Sequence, residues 1–131
     1  MSITEFISGA PDERQAVLTA LHEAIIANDP TVIAMVKPMM GKDMILYEQR
    51  CYMKYALADT KKHMSLHCLP MYMIPALYQQ FEKWLPDANF QKGCINFIGE
   101  ADLPLITLAK IITECSAVNI AEVLENRKKK K

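Results

Sequence analysis

Two short segments hold the side chains with the most varied chemistry in this chain. The first covers residues 61–70 and the second covers residues 92–97. Between them they contain imidazole, hydroxyl, thiol, amide and ammonium groups, which can hold a metal ion, act as a nucleophile or bind a small ligand. The candidate ligand-binding residues are His63, Ser65, His67, Lys92, Cys94 and Asn96.

The spacing of His63 and His67 tests the metal hypothesis. On a helix, residues four apart share a face and could bind one ion. On a strand they also share a face, but at roughly 3.3 Å per residue they lie about 13 Å apart. Because the segment from His63 to Leu69 alternates as a strand does, two separate histidines are favoured over a metal pair.

The second segment is predicted to be the last strand, running from Lys92 to Phe97. Alternation would place Lys92, Cys94 and Asn96 on one side of it. If this strand borders the His63 strand, the six candidate residues converge on one sheet face. Such a cationic, hydrogen-bonding face suits a small anion or a carboxylate ligand. The alternative is that Cys94 packs under a helix and Lys92 only solvates the sheet edge.

A cysteine–histidine enzyme is the third interpretation of the same residues. It would require a lowered thiol pKa, a histidine within hydrogen-bond reach and oxyanion donors. The chain has the residue types but no nucleophile-bearing turn signature around Cys94. The sequence therefore assigns no reaction, and a non-catalytic binding or accessory domain is favoured over an enzyme.

Charge is distributed unevenly along the 131 residues. The last five residues, 127–131, are all basic, so residues 1–126 carry ten basic and fifteen acidic side chains, a net charge of −5. An acidic body argues against a nucleic-acid surface. We expect one domain over residues 1–126, followed by a basic disordered tail over residues 127–131.

Targeting signals and cysteine motifs are absent from the sequence. No apolar run approaches the roughly 20 residues of a membrane span, and the amino terminus lacks a signal-peptide pattern. A cytoplasmic protein without a membrane partner is therefore expected. The four cysteines form no Cys-x-x-Cys pair, which favours free thiols. The oligomeric state and the identity of a protein partner stay open.

Hydrophobic periodicity changes four times along the chain and predicts the fold class. Helical spacing is followed by alternating segments, a second helical segment, one more alternating segment and a last helical region. The predicted helices cover residues 12–27, 72–85, 103–115 and 120–126, with a helical turn at 31–36; the predicted strands cover residues 44–48, 51–57, 63–69 and 92–97, with a shorter one at 39–42. This order predicts an α+β fold with an antiparallel sheet of four to five strands, covered by an N-terminal helix and C-terminal helices.

Three motifs in order carry a family resemblance. They are the segment 62–67 with the proline-bounded helix after it, the segment 92–97, and Asp102-Leu103-Pro104-Leu105. In order and spacing they resemble the YdhG-like domain family, a family of unknown function, over most of residues 12–115. The resemblance implies a small intracellular α+β domain similar to frataxin in shape. The stretch Met39-Met40-Gly41-Lys42 departs from the Tyr-Gly signature expected there.

The resemblance also implies an alternative function, because some family members are labelled iron chaperones. Weakly held, exchangeable iron prefers oxygen ligands, so this function requires an exposed acidic patch. The residues that could supply it are Asp12, Glu13, Asp43 and Glu48. Ordinary surface carboxylates at helix and strand ends are the competing interpretation, and no other cofactor is expected.

Overall fold

The computed structural model describes residues 1–99 and 101–129, without the side chain of residue 129. The strands are β1 (Ile33–Met39), β2 (Lys42–Gln49), β3 (Tyr52–Asp59), β4 (Met64–Cys68), β5 (Asn89–Gln91) and β6 (Cys94–Phe97). The helices are α1 (Ile3–Ser8), α2 (Asp12–Asn28), α3 (Leu69–Met73), α4 (Pro75–Trp84), α5 (Leu105–Ser116) and α6 (Ile120–Lys129). All strand pairs are antiparallel, in the order β1-β2-β3-β4-β6-β5.

Apolar alternation along the central strands gives the sheet one face that packs against helices. This face carries the main core, whose strand members include Ile45, Leu57, Leu66 and Ile95. Each of α1 to α5 adds buried residues to the same core, among them Ile7, Leu18, Met71, Phe81 and Leu108. The predicted α+β class and the helical covering are therefore confirmed.

The sheet has six strands rather than the four to five predicted. Part of β1 was predicted to be a helical turn, and β5 begins at Asn89, where the sequence indicated only a break after a helix. Both strands form the sheet edges. Their sequences are short or contain proline, so pairing with a neighbouring strand, and not local propensity, stabilises them.

The second face of the sheet is not packed against the described helices, and we call it the open face. Its β1–β3 half is a small apolar cluster made only of strand residues: Met35, Met39, Met44, Leu46, Met53, Ala56 and Ala58. Its β4–β6 half is polar, because Ala58 pairs with Ser65 and Ser65 pairs with Asn96 across the sheet, and directly opposed residues share a face.

A one-residue irregularity in the β2–β3 pairing directs the Lys54 side chain into the core. Tyr47 pairs with Tyr55, but the next pair is Glu48 with Met53, so Lys54 is the extra residue of a β-bulge. Its ammonium lies 2.8 Å from Asp29 Oδ2, and both side chains are 0% exposed. Strict alternation would place Lys54 on the face opposite to Tyr55, and the bulge overturns that placement.

The carboxyl-terminal helix extends past the predicted domain boundary. α6 runs to Lys129, so residues 127–129 are helical where the sequence predicted a disordered tail. Lys128 Nζ lies 5.4 Å from the centre of the Tyr52 ring, and Arg127 Nη1 lies 3.5 Å from Met73 Sδ. These contacts with the folded body explain the longer helix. The rest of the predicted tail, residues 130–131, lies outside the described residues.

Within the described part of the chain, no helix is both long and apolar enough to cross a membrane.

Candidate functional site

Five of the six candidate residues come together on the polar half of the open face. The antiparallel register of β4 and β6 places Ser65 opposite Asn96 and His67 opposite Cys94. Because opposed residues project on the same side of a sheet, each pair is in contact. His63 lies just before β4 and completes the group.

A chain of hydrogen bonds links three strands through Ser65 and Asn96. Ser65 Oγ donates to Asn96 Oδ1 at 2.6 Å, and Asn96 Nδ2 donates to Gln91 Oε1 at 3.1 Å. Both Ser65 and Asn96 are buried, at 4% and 7% exposure. We refer to Ser65, Asn96, Gln91 and the two flanking histidines as the polar network. Gln91 was not a sequence candidate, since β5 is only three residues long and gives no periodic signal.

The hydroxyl protons around His63 determine its neutral tautomer. Ser65 Oγ gives its single proton to Asn96, and Thr60 Oγ1 donates to the His63 carbonyl oxygen at 2.6 Å. His63 Nδ1 lies 3.2 Å from Ser65 Oγ. With both hydroxyl protons already used, Nδ1 must be the donor to Ser65. In the neutral ring, Nε2 is then an acceptor.

The His67 and Cys94 pair is uncharged at neutral pH. Cys94 Sγ lies 2.9 Å from His67 Nδ1. Burial raises the pKa of the Cys94 thiol and lowers the pKa of His67, so both shifts favour the neutral forms. The thiol therefore donates to Nδ1, and His67 carries its proton on Nε2. His67 presents a donor where His63 presents an acceptor.

Lys92 does not join the polar network. It was predicted to begin the last strand, but it lies in the two-residue turn between β5 and β6 with a φ of +54°. Its side chain lines a different cavity, with Tyr72 and Tyr78. The strand starts at Cys94 because the chain reverses at Lys92 and Gly93, so alternation does not reach Lys92. The Lys92 ammonium group, which the sequence predicted at the site, therefore lies outside the polar network.

A cavity of about 170 Å³ lies next to the polar network. Its lining residues are Lys62, His63, Asp87, Asn89, Asn96, Phe97, Ile98 and Asp102. Charges of both signs border it, with Lys62 as the cation and two carboxylates as the anions. The sequence pattern did not indicate Asp87, which lies in the break after α4, or Asn89, which begins β5.

The metal hypotheses remain predictions. His63 and His67 contact different partners, Ser65 and Cys94, as strand geometry requires. Among the described residues, no group of three or more His, Cys, Asp or Glu side chains is placed to hold a metal ion.

The four carboxylates of the iron alternative are spread over two elements. Asp12 and Glu13 lie in the first turn of α2. Asp43 and Glu48 are five residues apart on β2, about 17 Å along a strand. The Glu48 carboxylate also lies 3.1 Å from Lys37 Nζ. This distribution does not favour one shared iron site.

The fold and the site define a small α+β domain with helices on one sheet face and a polar network on the other. Among solved structures, the chain is similar to the crystal structure of a protein from the DUF1801 family, YdhG, from Bacillus subtilis. The TM-score is 0.66 at 14% sequence identity, over 87% of this chain and 86% of that chain. At this identity the likeness shows a shared fold, and it confirms at that level the YdhG-like resemblance of the sequence. No family model and no curated protein sequence matches the chain.

Proposed function

We propose that the chain is a non-catalytic binding domain that holds a small polar ligand on the open face of its sheet. The observation that carries the proposal is the convergence of Ser65, His67, Cys94 and Asn96 beside a cavity bordered by His63. Residues from separate segments converge there through the sheet register, and His63, which borders the cavity, leaves its Nε2 as an acceptor for a ligand.

The ligand class follows from the cavity. A volume of about 170 Å³ corresponds to roughly six water molecules, so the ligand is small. Lys62 and His63 border the cavity, and so do Asp87 and Asp102. A small carboxylate that also carries a hydrogen-bond donor, such as a hydroxy acid or an amino acid, would match both signs of charge. Lys62 takes the cationic role that the sequence assigned to Lys92.

The ligand proposal is tested by titrating the isotopically labelled full chain with small hydroxy and amino carboxylates. We expect amide shifts centred on Ser65, Asn96 and Ile98, and at least about tenfold weaker binding in Lys62→Ala, because a charge-assisted hydrogen bond contributes about 1.5–3 kcal/mol. Lys61→Ala is the matched control, since Lys61 is also exposed but does not line the cavity. Equal weakening in both variants, or no shifts at millimolar ligand, would contradict the proposal.

The proposal that the domain is non-catalytic is tested separately, by alkylation of the Cys94 thiol. Because burial raises the pKa of Cys94, little reactive thiolate is present at neutral pH. We expect iodoacetamide to modify Cys94 more slowly than Cys51, which is exposed. Peptide mass spectrometry over time measures both rates in the same sample. Faster modification of Cys94 would support a nucleophilic cysteine instead.

A further inference from the structure

The turn between β5 and β6 contains a backbone conformation that its residue does not favour. Lys92 has a φ of +54°, in the left-handed region. This region is unfavourable for residues with a side chain, and the chain usually places glycine or asparagine there. A two-residue β-hairpin loop requires such a φ, and Gln91 pairs with Cys94 on either side of Lys92 and Gly93.

Gly93 is favoured for a different reason. A Cβ atom at Gly93 would lie 3.0 Å from Tyr72 Cβ and 3.3 Å from Tyr72 Cγ, tighter than most contacts of real Cβ atoms. The Gly93 carbonyl also accepts the backbone N–H of Cys68 at 2.8 Å. The glycine is thus held against Tyr72 and the end of β4, and Lys92 precedes it in the turn at a positive φ.

This arrangement places the Lys92 side chain beside two tyrosines. A cavity of about 540 Å³, within the size range of ligand pockets, is lined by Met71, Tyr72, Pro75, Tyr78, Gln79, Glu82 and Lys92. The Tyr72 side chain is 57% exposed. The Tyr78 ring is held in place by Phe90, with ring centres 5.5 Å apart at an angle of 62°. The cavity therefore has aromatic walls and one ammonium group.

We propose that this cavity is a second ligand site, which binds a planar aromatic ring carrying one anionic group. Tyr72 and Tyr78 contact the ring, and Lys92 pairs with the anion. Glu82 borders the same cavity and repels the anion, so it fixes the ligand with its charge toward Lys92. The proposal does not depend on the polar network, because none of the network residues lines this cavity.

Two probes distinguish the source of the anionic group. Indole-3-acetate carries a carboxylate and adenosine 5′-monophosphate carries a phosphate, while indole has a ring without a charge. We expect the amides of Tyr72, Lys92 and Gly93 in the labelled full chain to shift with at least one of the two anions, and at least about tenfold weaker binding of indole. The anion with the higher affinity shows which of the two probes the site prefers.

Three variants show whether a loss of affinity comes from the binding site itself or from a loss of folding. Asparagine accepts a positive φ and has no charge, so Lys92→Asn should keep or raise the unfolding midpoint while weakening the anionic probe about tenfold or more. Lys83→Gln, an exposed lysine of α4 outside the cavity, should bind as the wild type does. Glu82→Gln should bind the anion more tightly.

Four results would overturn the proposal. The first is unchanged affinity in Lys92→Asn, and the second is weaker anion binding in Glu82→Gln. The third is tighter binding of phenethylamine, a cationic aromatic probe, than of indole-3-acetate. No amide shift at millimolar concentrations of every probe would equally remove it.

Discussion

At the scale of single residues, the buried Lys54 and Asp29 pair makes the greatest electrostatic demand on the fold. Burial alone would raise the pKa of Asp29, but hydrogen bonds from Lys54, Thr31 and Tyr55 outweigh it and lower that pKa. Tyr55 donates to Asp29 Oδ2 at 2.7 Å, and Thr31 donates to Oδ1 at 2.5 Å. Asp29 also ends α2 as its C-cap residue, so the pair connects that helix to β3.

We expect Lys54→Met to lower the free energy of unfolding by about 3–5 kcal/mol, because it leaves a buried carboxylate without its counter-charge. Urea denaturation followed by circular dichroism measures the change. Asp29→Asn removes the orphaned charge, so the double variant should recover a large part of the loss. Losses that simply add in the double variant would show that the two groups do not interact.

At the scale of elements, the β2–β3 hairpin has a turn without the residues that its geometry favours. Gln49 pairs with Tyr52, so the loop has two residues, and Arg50 and Cys51 have φ values of +50° and +70°. Such turns normally use Asn-Gly. The C-terminal helix α6 supports this one, because the Ile120 N–H donates to Gln49 Oε1 at 2.7 Å. The sequence predicted strands over residues 44–48 and 51–57 in an antiparallel sheet, and this turn joins the two.

Replacing the turn by Arg50→Asn/Cys51→Gly should raise the free energy of unfolding by about 1–2 kcal/mol, since both new residues accept a positive φ. The exposed ion pair between Arg50 and Glu125, at 3.5 Å, contributes little by comparison. Denaturant midpoints measure the gain. Arg50→Ala/Cys51→Ser is the matched control and should give no gain. An equal gain in both variants would mean that backbone strain is not the cause.

At the scale of the whole molecule, several buried or half-buried groups are kept neutral by burial. Burial lowers the pKa values of His22 and His67, and it raises those of Cys94, Tyr47 and Tyr55. The Tyr47 hydroxyl lies 2.7 Å from His22 Nδ1. Lowered histidine values make folding less favourable in acid, and raised thiol and phenol values make it less favourable in alkali.

We therefore expect the free energy of unfolding to be greatest between about pH 7 and 8. It should fall as the pH drops below 6.5, the ordinary value for the histidines, because the unfolded chain then binds protons that folded His22 and His67 do not. The free energy of unfolding should also fall above pH 9.0, the ordinary pKa of a thiol. Thermal unfolding midpoints across pH measure both limbs.

The double variant His22→Gln/His67→Gln provides the control for this profile. It should flatten the acid limb, because it removes the two histidines with lowered pKa values, and it should leave the alkaline limb in place. An acid limb of unchanged slope would assign the loss of stability to other groups. Asp29 would be the first of these, since its lowered pKa acts in the same direction at lower pH.

The candidate site was predictable to the extent that it depends on strand alternation. Alternation within the segment 63–69 placed Ser65 and His67 on the same side of their strand. Alternation within the segment 92–97 likewise placed Cys94 and Asn96 on the same side of theirs. These residues come together because β4 lies beside β6. The sequence did not predict that the two strands are neighbours, and the convergence was stated only for the case that they are. Gln91 and Asp87 could not be found this way, because they lie in a three-residue strand and a turn, where no period exists.

The α+β class and most of the elements, such as α2 and β4, could be predicted from the sequence alone. Local periodicity shows which side of an element is apolar, and that information is contained in a few adjacent turns or residues. Three features became visible only in the folded chain: Lys54 enters the core, Lys92 lies outside the strand, and one sheet face is not covered by helices. These features depend on register, bulges and helix packing between residues far apart in the chain, and no local pattern encodes them.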